Sequence, residues 1–141
     1  MVSGSSMWTG VYPAATTQFA ADGSVDIDAT QRGLVALVED GVDGLILLGT
    51  CGENNSLDVE EKHAVLRAGV EAVGGRVPLV CGVSEFTTRR AAAFAKEVED
   101  IGVDALMLLP AMVYVPTPNE LATHFRTVAE ATGLPIMLYN N

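Results

Sequence analysis

Three observations predict an α/β fold. Short apolar runs alternate along the whole chain with segments of helical periodicity. A helix-ending glycine followed by Asp and a buried run occurs twice. Glu39-Asp40-Gly41-Val42-Asp43-Gly44-Leu45 returns, with one residue inserted, as Glu99-Asp100-Ile101-Gly102-Val103-Asp104-Ala105-Leu106. Gly41 and Gly102 stand 61 residues apart, the length of about two βα units at roughly 30 residues each. Thirdly, residues 41–53, GVDGLILLGTCGE, pass from a turn through four large apolar residues, Leu45 to Leu48, into a polar Gly-Thr-Cys-Gly-Glu cluster. So short an apolar run between turn signals reads as a strand buried on both faces. The cluster then lies at its carboxyl end, where parallel α/β proteins bind ligands.

The elements follow in order. A first strand is expected at 11–16 around Tyr12 and Pro13, with the proline weakening its first half. Residues 21–24, Ala-Asp-Gly-Ser, carry turn chemistry, and Asp28 is the expected N-cap of a helix to 40. Leu34, Leu37 and Val38 share one face of that helix. The second strand is 44–48. Asp58 caps a helix over 59–72, with Glu60 and Glu61 in the first turn, where acidic groups suit the helix dipole. Its buried face is Val65, Leu66, Gly69 and Val70, and Gly74-Gly75 stops it. A third strand is predicted at 77–83, and a third helix from Thr87 or Thr88 to 100. A fourth strand at 105–109, a fourth helix at 119–132 and a fifth strand at 135–139 complete the chain. An open doubly wound sheet could stop near there. An eightfold barrel needs about 250 residues, so this chain would be a little over half of one.

Composition narrows the function. Eighteen acidic against 8 basic residues give a net charge of −10, which argues against nucleic acid or an anionic membrane as partner. The plainer reading of that acidity is a solvated surface. At 49% hydrophobic residues and a mean hydropathy of +0.31 the chain is apolar for a free-standing domain of 141 residues. Yet no run approaches the roughly 18 residues a membrane helix needs. The start, MVSGSSMWTG, lacks the basic and apolar regions of a signal peptide. Cys51 and Cys81 have neither metal-ligand nor C-x-x-C spacing. A cytoplasmic protein with reduced thiols is expected, and no linker divides residues 1–141.

Four features gather at strand carboxyl ends: residues 49–53, Gly82-Val83-Ser84, residues 110–118, and Leu138-Tyr139-Asn140. Thr50 and Cys51 offer a hydroxyl, a thiol and exposed N–H groups, which suit a small carboxylate. Tyr139 ends a buried strand with a phenol able to shuttle a proton. Taken singly, each has a plainer reading: a strand-end tyrosine packs, and Gly-Thr-x-Gly-Glu is a tight turn. Glu53 is expected to hydrogen-bond backbone rather than act as a base. His63 and His124 read as surface or packing residues, Trp8 as packing, Cys81 as a small core residue and Ser84 as part of a turn, with the pocket floor as the alternative. Lys62 and Lys96, in helix interiors with acidic neighbours, read as solvated surface.

Taken together the features are more specific. Phe19-x-x-Asp22-Gly23-Ser24-Val25-Asp26 is followed by Gly41-Val42-Asp43-Gly44 and Gly49-Thr50-Cys51-Gly52-Glu53. Next come Leu57, Glu61, Gly82-Val83, Gly102-Val103-Asp104-Ala105, Pro110, His124-Phe125 and Leu134-Pro135-x-x-Leu138-Tyr139-Asn140. With these ordered matches, from Gly10 to Asn141, the chain resembles the dihydrodipicolinate synthase and N-acetylneuraminate lyase family, the pyruvate-type class I aldolases. The resemblance implies a (β/α)8 TIM barrel, truncated here after about strand five. It also implies a strand-six lysine that forms a Schiff base with a 2-oxo acid, an electron sink for bond making or breaking beside the old carbonyl. By match, Tyr139 is the proton-transferring tyrosine. Thr50 and Cys51 stand at the hydroxyl pair of Gly-Thr-Thr-Gly-Glu, so that Thr50 relays protons and Thr50, Cys51 and Gly52 hold the carboxylate. A second catalytic tyrosine crosses a tight dimer interface in the family; Tyr114 is the candidate, with Val113 the alternative register. A dimer or tetramer binding a small 2-oxo acid follows, with no metal, organic cofactor, nucleic acid or membrane.

Three departures matter. Cys51 replaces a threonine, and a thiol is a poor donor, which favours a relative acting on another 2-oxo acid, as a dehydratase or deaminase does. Thr17-Gln18-Phe19 replaces Thr-Pro-Phe. The five expected strands stop before strand six, so the chain alone is not expected to perform the family reaction. The rival reading is a non-enzymatic half-barrel that self-associates through unpaired strand edges. An open flavodoxin-like sheet binding phosphate is a third, and lacks a Gly-rich phosphate loop.

Overall fold

A computed structural model describes residues 8–111 and 113–140. The reading of the N-terminal residues as lacking a leader, and the match at Asn141, lie outside the described residues. Helices and strands alternate as α1 (Ile27–Glu39), β1 (Leu45–Leu47), α2 (Val59–Val73), β2 (Leu79–Val83), α3 (Thr88–Ile101), β3 (Ala105–Leu108), α4 (Pro118–Glu130) and β4 (Ile136–Leu138). The strands form one parallel sheet in the order β1-β2-β3-β4. Sequential order without a reversal is the arrangement of a closing (β/α)8 barrel, whereas a doubly wound sheet reverses at a switch point.

The two faces of the sheet have different partners. Side chains alternate along a strand. Leu45, Leu47, Leu79, Cys81, Val83, Leu106 and Leu108 pack with Leu34, Leu66, Phe94 and Val98 in the helix layer. Val80, Ala105, Met107 and Leu109 form the second cluster, on the opposite face, with Ile46 and Met137 against it. Burial pushes the Cys81 thiol pKa far up, as befits the small core residue predicted there. Among the described residues no helix is long and apolar enough to cross a membrane.

Several boundaries move, each for a physical reason. The segment at 11–16 is no regular strand. It lies parallel beside β1, with one bridge between Ala14 and Ile46, because Pro13 can accept from Ile46 N–H (3.0 Å) but has no N–H to donate. Pro78 likewise delays β2 to Leu79. The N-cap of α1 is Asp26, not Asp28: its carboxylate accepts from Ala29 N–H at 2.8 Å, and Asp28 is already in the first turn. Thr30 decides the choice, because its hydroxyl donates to the Asp26 carbonyl and accepts from Gln18 N–H. Thr87 caps α3, and Thr117 caps α4 in a box with Glu120, with Pro118 at the first helical position. That starts α4 one residue earlier than predicted. It ends at Glu130, and the Thr132 hydroxyl turns to Glu99 on α3 (2.8 Å).

The repeated Gly-Val-Asp has a shared geometry. Asp43 N–H donates to the Val11 carbonyl (3.0 Å) while its Oδ2 accepts from Val11 N–H (2.7 Å). Asp104 does the same to Leu79, at 2.9 and 2.8 Å. Each aspartate thus clamps the start of the preceding extended segment by two bonds.

Lys62 corrects the sequence reading. It is buried, not solvated: Nζ pairs with Glu85 Oε1 at 2.7 Å, the two side chains are 7% and 11% exposed, and Nζ lies 5.4 Å from the Phe94 ring centroid. Lys96 is exposed as expected. His124 is a packing residue, buried between Thr88 and the Leu109 carbonyl. That carbonyl can only accept, so Nε2 carries the proton and Nδ1 accepts from the Thr88 hydroxyl. His63 pairs with Glu97 (3.2 Å) and stacks on Phe94. Trp8 is 38% exposed.

Candidate functional site at the carboxyl rim

Parallel strands in register bring their carboxyl ends to one rim, so the loop after β1, Ser84, the β3–α4 loop and Tyr139 share it. After β1 the backbone leaves the strand abruptly. Leu48 takes φ 55°, a left-handed conformation that costs a leucine on the order of 1–3 kcal/mol. The chain then folds back on itself. The N–H groups of Gly52 and Asn54 return to the Gly49 carbonyl (3.1 and 3.4 Å), and that of Glu53 to Thr50 (3.0 Å). Gly52 is buried; a Cβ there would lie 2.9 Å from Leu48 N, so only glycine fits. Its carbonyl accepts from the buried Thr17 hydroxyl at 2.8 Å.

What remains free is the tip. Thr50 and Cys51 are exposed, and their N–H groups have no partner among the described residues. Two adjacent amide donors and a hydroxyl are groups from which a carboxylate accepts hydrogen bonds. Glu53 departs from expectation. It sits at φ 57°, exposed, and its carboxylate has no hydrogen-bond partner among the described residues.

The tyrosines are placed separately. Tyr139 directly follows β4, its N–H bonded to the Leu108 carbonyl (2.9 Å). Its ring, 44% exposed, lines an apolar cleft of about 410 Å³ with Pro110, Val115, Leu121 and Phe125. Tyr114, 59% exposed, donates its phenol to Glu120 Oε1 at 3.3 Å and lines another cleft, of about 310 Å³, with Thr88 and His124. The Glu120 carboxylate holds the Tyr114 phenol above its ordinary pKa. Glu120 itself is held below the usual carboxylate range by the Thr117 N–H and hydroxyl. Val113 is also exposed. No hydrogen bond links Thr50, Tyr114 and Tyr139 to one another among the described residues. Ser84 lines neither tyrosine cleft; it borders a third, with Lys62, Glu85 and Arg90. Among the described residues no three His, Cys, Asp or Glu side chains could hold a metal ion together.

Sequence reasoning missed Asn54. It is 1% exposed, and its Nδ2 donates to the carbonyls of Leu48 (2.9 Å) and Gly82 (3.0 Å). The one available signal was a polar residue directly after the Gly-Glu turn, and nothing in its spacing shows that it points inward.

Comparison with known proteins agrees with this architecture. Residues 7–141 match the Dihydrodipicolinate synthetase family. The chain is 39% identical over 130 residues to 4-hydroxy-tetrahydrodipicolinate synthase 1 of Halalkalibacterium halodurans, covering 92% of this chain and 44% of that protein. Among solved structures it is similar to YagE, a prophage protein of the dihydrodipicolinic acid synthase family from E. coli, in complex with pyruvate. The TM-score is 0.92 at 32% identity, over 96% of this chain and 46% of that one. N-acetylneuraminate lyase from Mycoplasma synoviae superposes with a TM-score of 0.89 at 26% identity, over 96% of this chain and 47% of the other. The chain thus spans less than half the length of the relatives it matches.

Proposed function

Because the chain belongs to the dihydrodipicolinate synthetase family, we propose that it supplies part of the active site of a Schiff-base-forming lyase or synthase acting on pyruvate or a related 2-oxo acid. The observation that carries this reading is the exposed tip of the β1 loop, where the N–H groups of Thr50 and Cys51 have no partner among the described residues and the Thr50 hydroxyl stands on the same tip. This tip takes the carboxylate, with Gly52 letting the backbone approach. A lysine amine attacks the neighbouring ketone, water leaves, and the protonated imine draws the electron pair of the adjacent bond. Tyr139 moves protons at that centre, and Thr50 relays them. The likeness to YagE, whose structure holds pyruvate, supports the substrate class.

The lysine is neither of the two in this chain. Lys62 is held by Glu85 and packed over Phe94, and Lys96 is exposed on α3. The thiol of Cys51 donates more weakly than a second threonine would. This favours a dehydratase or deaminase working on a 2-oxo acid other than that of the synthase proper. Tyr114, exposed beside α4, serves a neighbouring subunit of a dimer or tetramer.

Borohydride reduction of the full-length gene product with pyruvate, read by intact mass and peptide mapping, tests the reading. One reduced adduct per chain is expected, on a lysine other than Lys62 and Lys96. Absence of any adduct with pyruvate and with larger 2-oxo acids overturns it. The reading then left is a self-associating half-barrel, which the exposed Leu138 on edge strand β4 favours.

A further inference from the structure

We infer that Asn54 is the positioning residue of the β1 loop, and that its amide replaces the strand pairing that Leu48 gives up, so that Thr50 and Cys51 are presented at the rim. The inference rests on the proposed function only for what the loop binds; the geometry of the loop stands by itself. β1 and β2 pair in register through Leu47 and Cys81. One residue later the ladder is broken, because Leu48 turns left-handed at φ 55°. The carbonyls of Leu48 and Gly82 are left at the break, and both accept from one group, the Asn54 amide, at 2.9 and 3.0 Å; the Cys81 thiol adds a weaker donor to Gly82, at 3.4 Å.

Gly82 makes this close approach possible. A Cβ on it would fall 2.2 Å from the Leu48 carbonyl oxygen and 3.0 Å from Gly49 N, both backbone atoms. The Leu48 carbonyl therefore lies directly over Gly82, within reach of a single side chain that also bonds Gly82. Among the described residues Asn54 Oδ1 has no hydrogen-bond partner, so the side chain is held there by its donors. An amide supplies two donors from one nitrogen, which neither an aspartate nor a leucine of the same size can do. A buried polar group fastened both to the turn after β1 and to β2 fixes the left-handed turn that would otherwise relax, and with it the orientation of the Thr50 and Cys51 N–H groups.

Asn54→Asp places a carboxylate against two carbonyl oxygens at nearly unchanged volume. Hydrogen exchange of the full-length protein, read by mass spectrometry, is the test. Exchange in the peptide over 49–57 is expected to quicken about tenfold, with that over 79–83 unchanged. In the same samples, protection of Cys51 from alkylation by pyruvate is expected to fall at least fivefold relative to wild type. Unchanged exchange at 49–57, or equal acceleration in every peptide, overturns the inference, since a general loss of stability moves all peptides together. Should Asn54→Asp fail to fold, shown by labelling of the buried Cys81, Asn54→Ser keeps one donor and is read by the same two peptides. If pyruvate gives no protection even in wild type while the exchange result holds, the assignment of a 2-oxo acid to the loop falls and the positioning role stands.

Discussion

Lys62 has exchanged water for one carboxylate and one aromatic face, and the balance of that exchange can be measured. A buried ion pair returns little net stability, because desolvating both charges offsets their attraction, but removing one partner leaves the other charge uncompensated. Lys62→Met is therefore expected to cost about 3–5 kcal/mol in urea unfolding. The double change Lys62→Met with Glu85→Leu should recover most of the loss. A loss below about 1 kcal/mol in the single variant would show a pair as weak as an exposed one. The burial was legible in part: Lys62, Val65, Leu66 and Gly69 fall at i, i+3, i+4 and i+7, one buried stripe of α2. Its partner was not legible, because Glu85 is 23 residues away in the loop after β2. The cap of α1 failed for a similar reason. Asp26 and Asp28 have equal capping chemistry, and the bond from Gln18 to Thr30 that separates them is long-range.

At the scale of elements, the strands were legible because each is a short apolar run between turn signals, and their ends moved where a backbone group was missing or twisted away. Pro13 and Pro78 lack a donor, and Leu48 leaves the extended region. The residues of the β1 loop were legible from their order, but the loop's support was not, since Thr17 and Asn54 act through contacts 35 and 28 residues distant. The repeated aspartate was seen as a pattern and is explained by its clamp. Asp104→Ala leaves the buried Leu79 N–H without its acceptor and is expected to lower stability by about 1–3 kcal/mol in thermal or urea unfolding. Exposed Asp100→Ala on α3 serves as the control, with a change within about 0.5 kcal/mol. Equal losses in the two would remove the clamp as a source of stability.

At the scale of the whole molecule, the sheet has a helix layer on one side and an edge strand at its end. Ile136 and Met137 on β4 are half-buried and Leu138 is 58% exposed, close to Val115 and Phe125 in an apolar cleft. Such an edge offers both unpaired backbone groups and apolar side chains. The 141-residue chain taken alone is expected to self-associate, with a sedimentation coefficient that rises with concentration. Leu138→Lys should shift the distribution toward monomer. A concentration-independent monomer in both would show the edge to be inert. The reach of the aspartate clamps has a further consequence, in time rather than in space. Asp43 follows Val11 by 32 residues and Asp104 follows Leu79 by 25. During synthesis each extended segment therefore waits only for the next few dozen residues to leave the ribosome before its lower end is fastened. Two segments of the sheet, 11–16 and β2, can thus be fastened in the order in which they are translated, each closed by the aspartate of the next repeat.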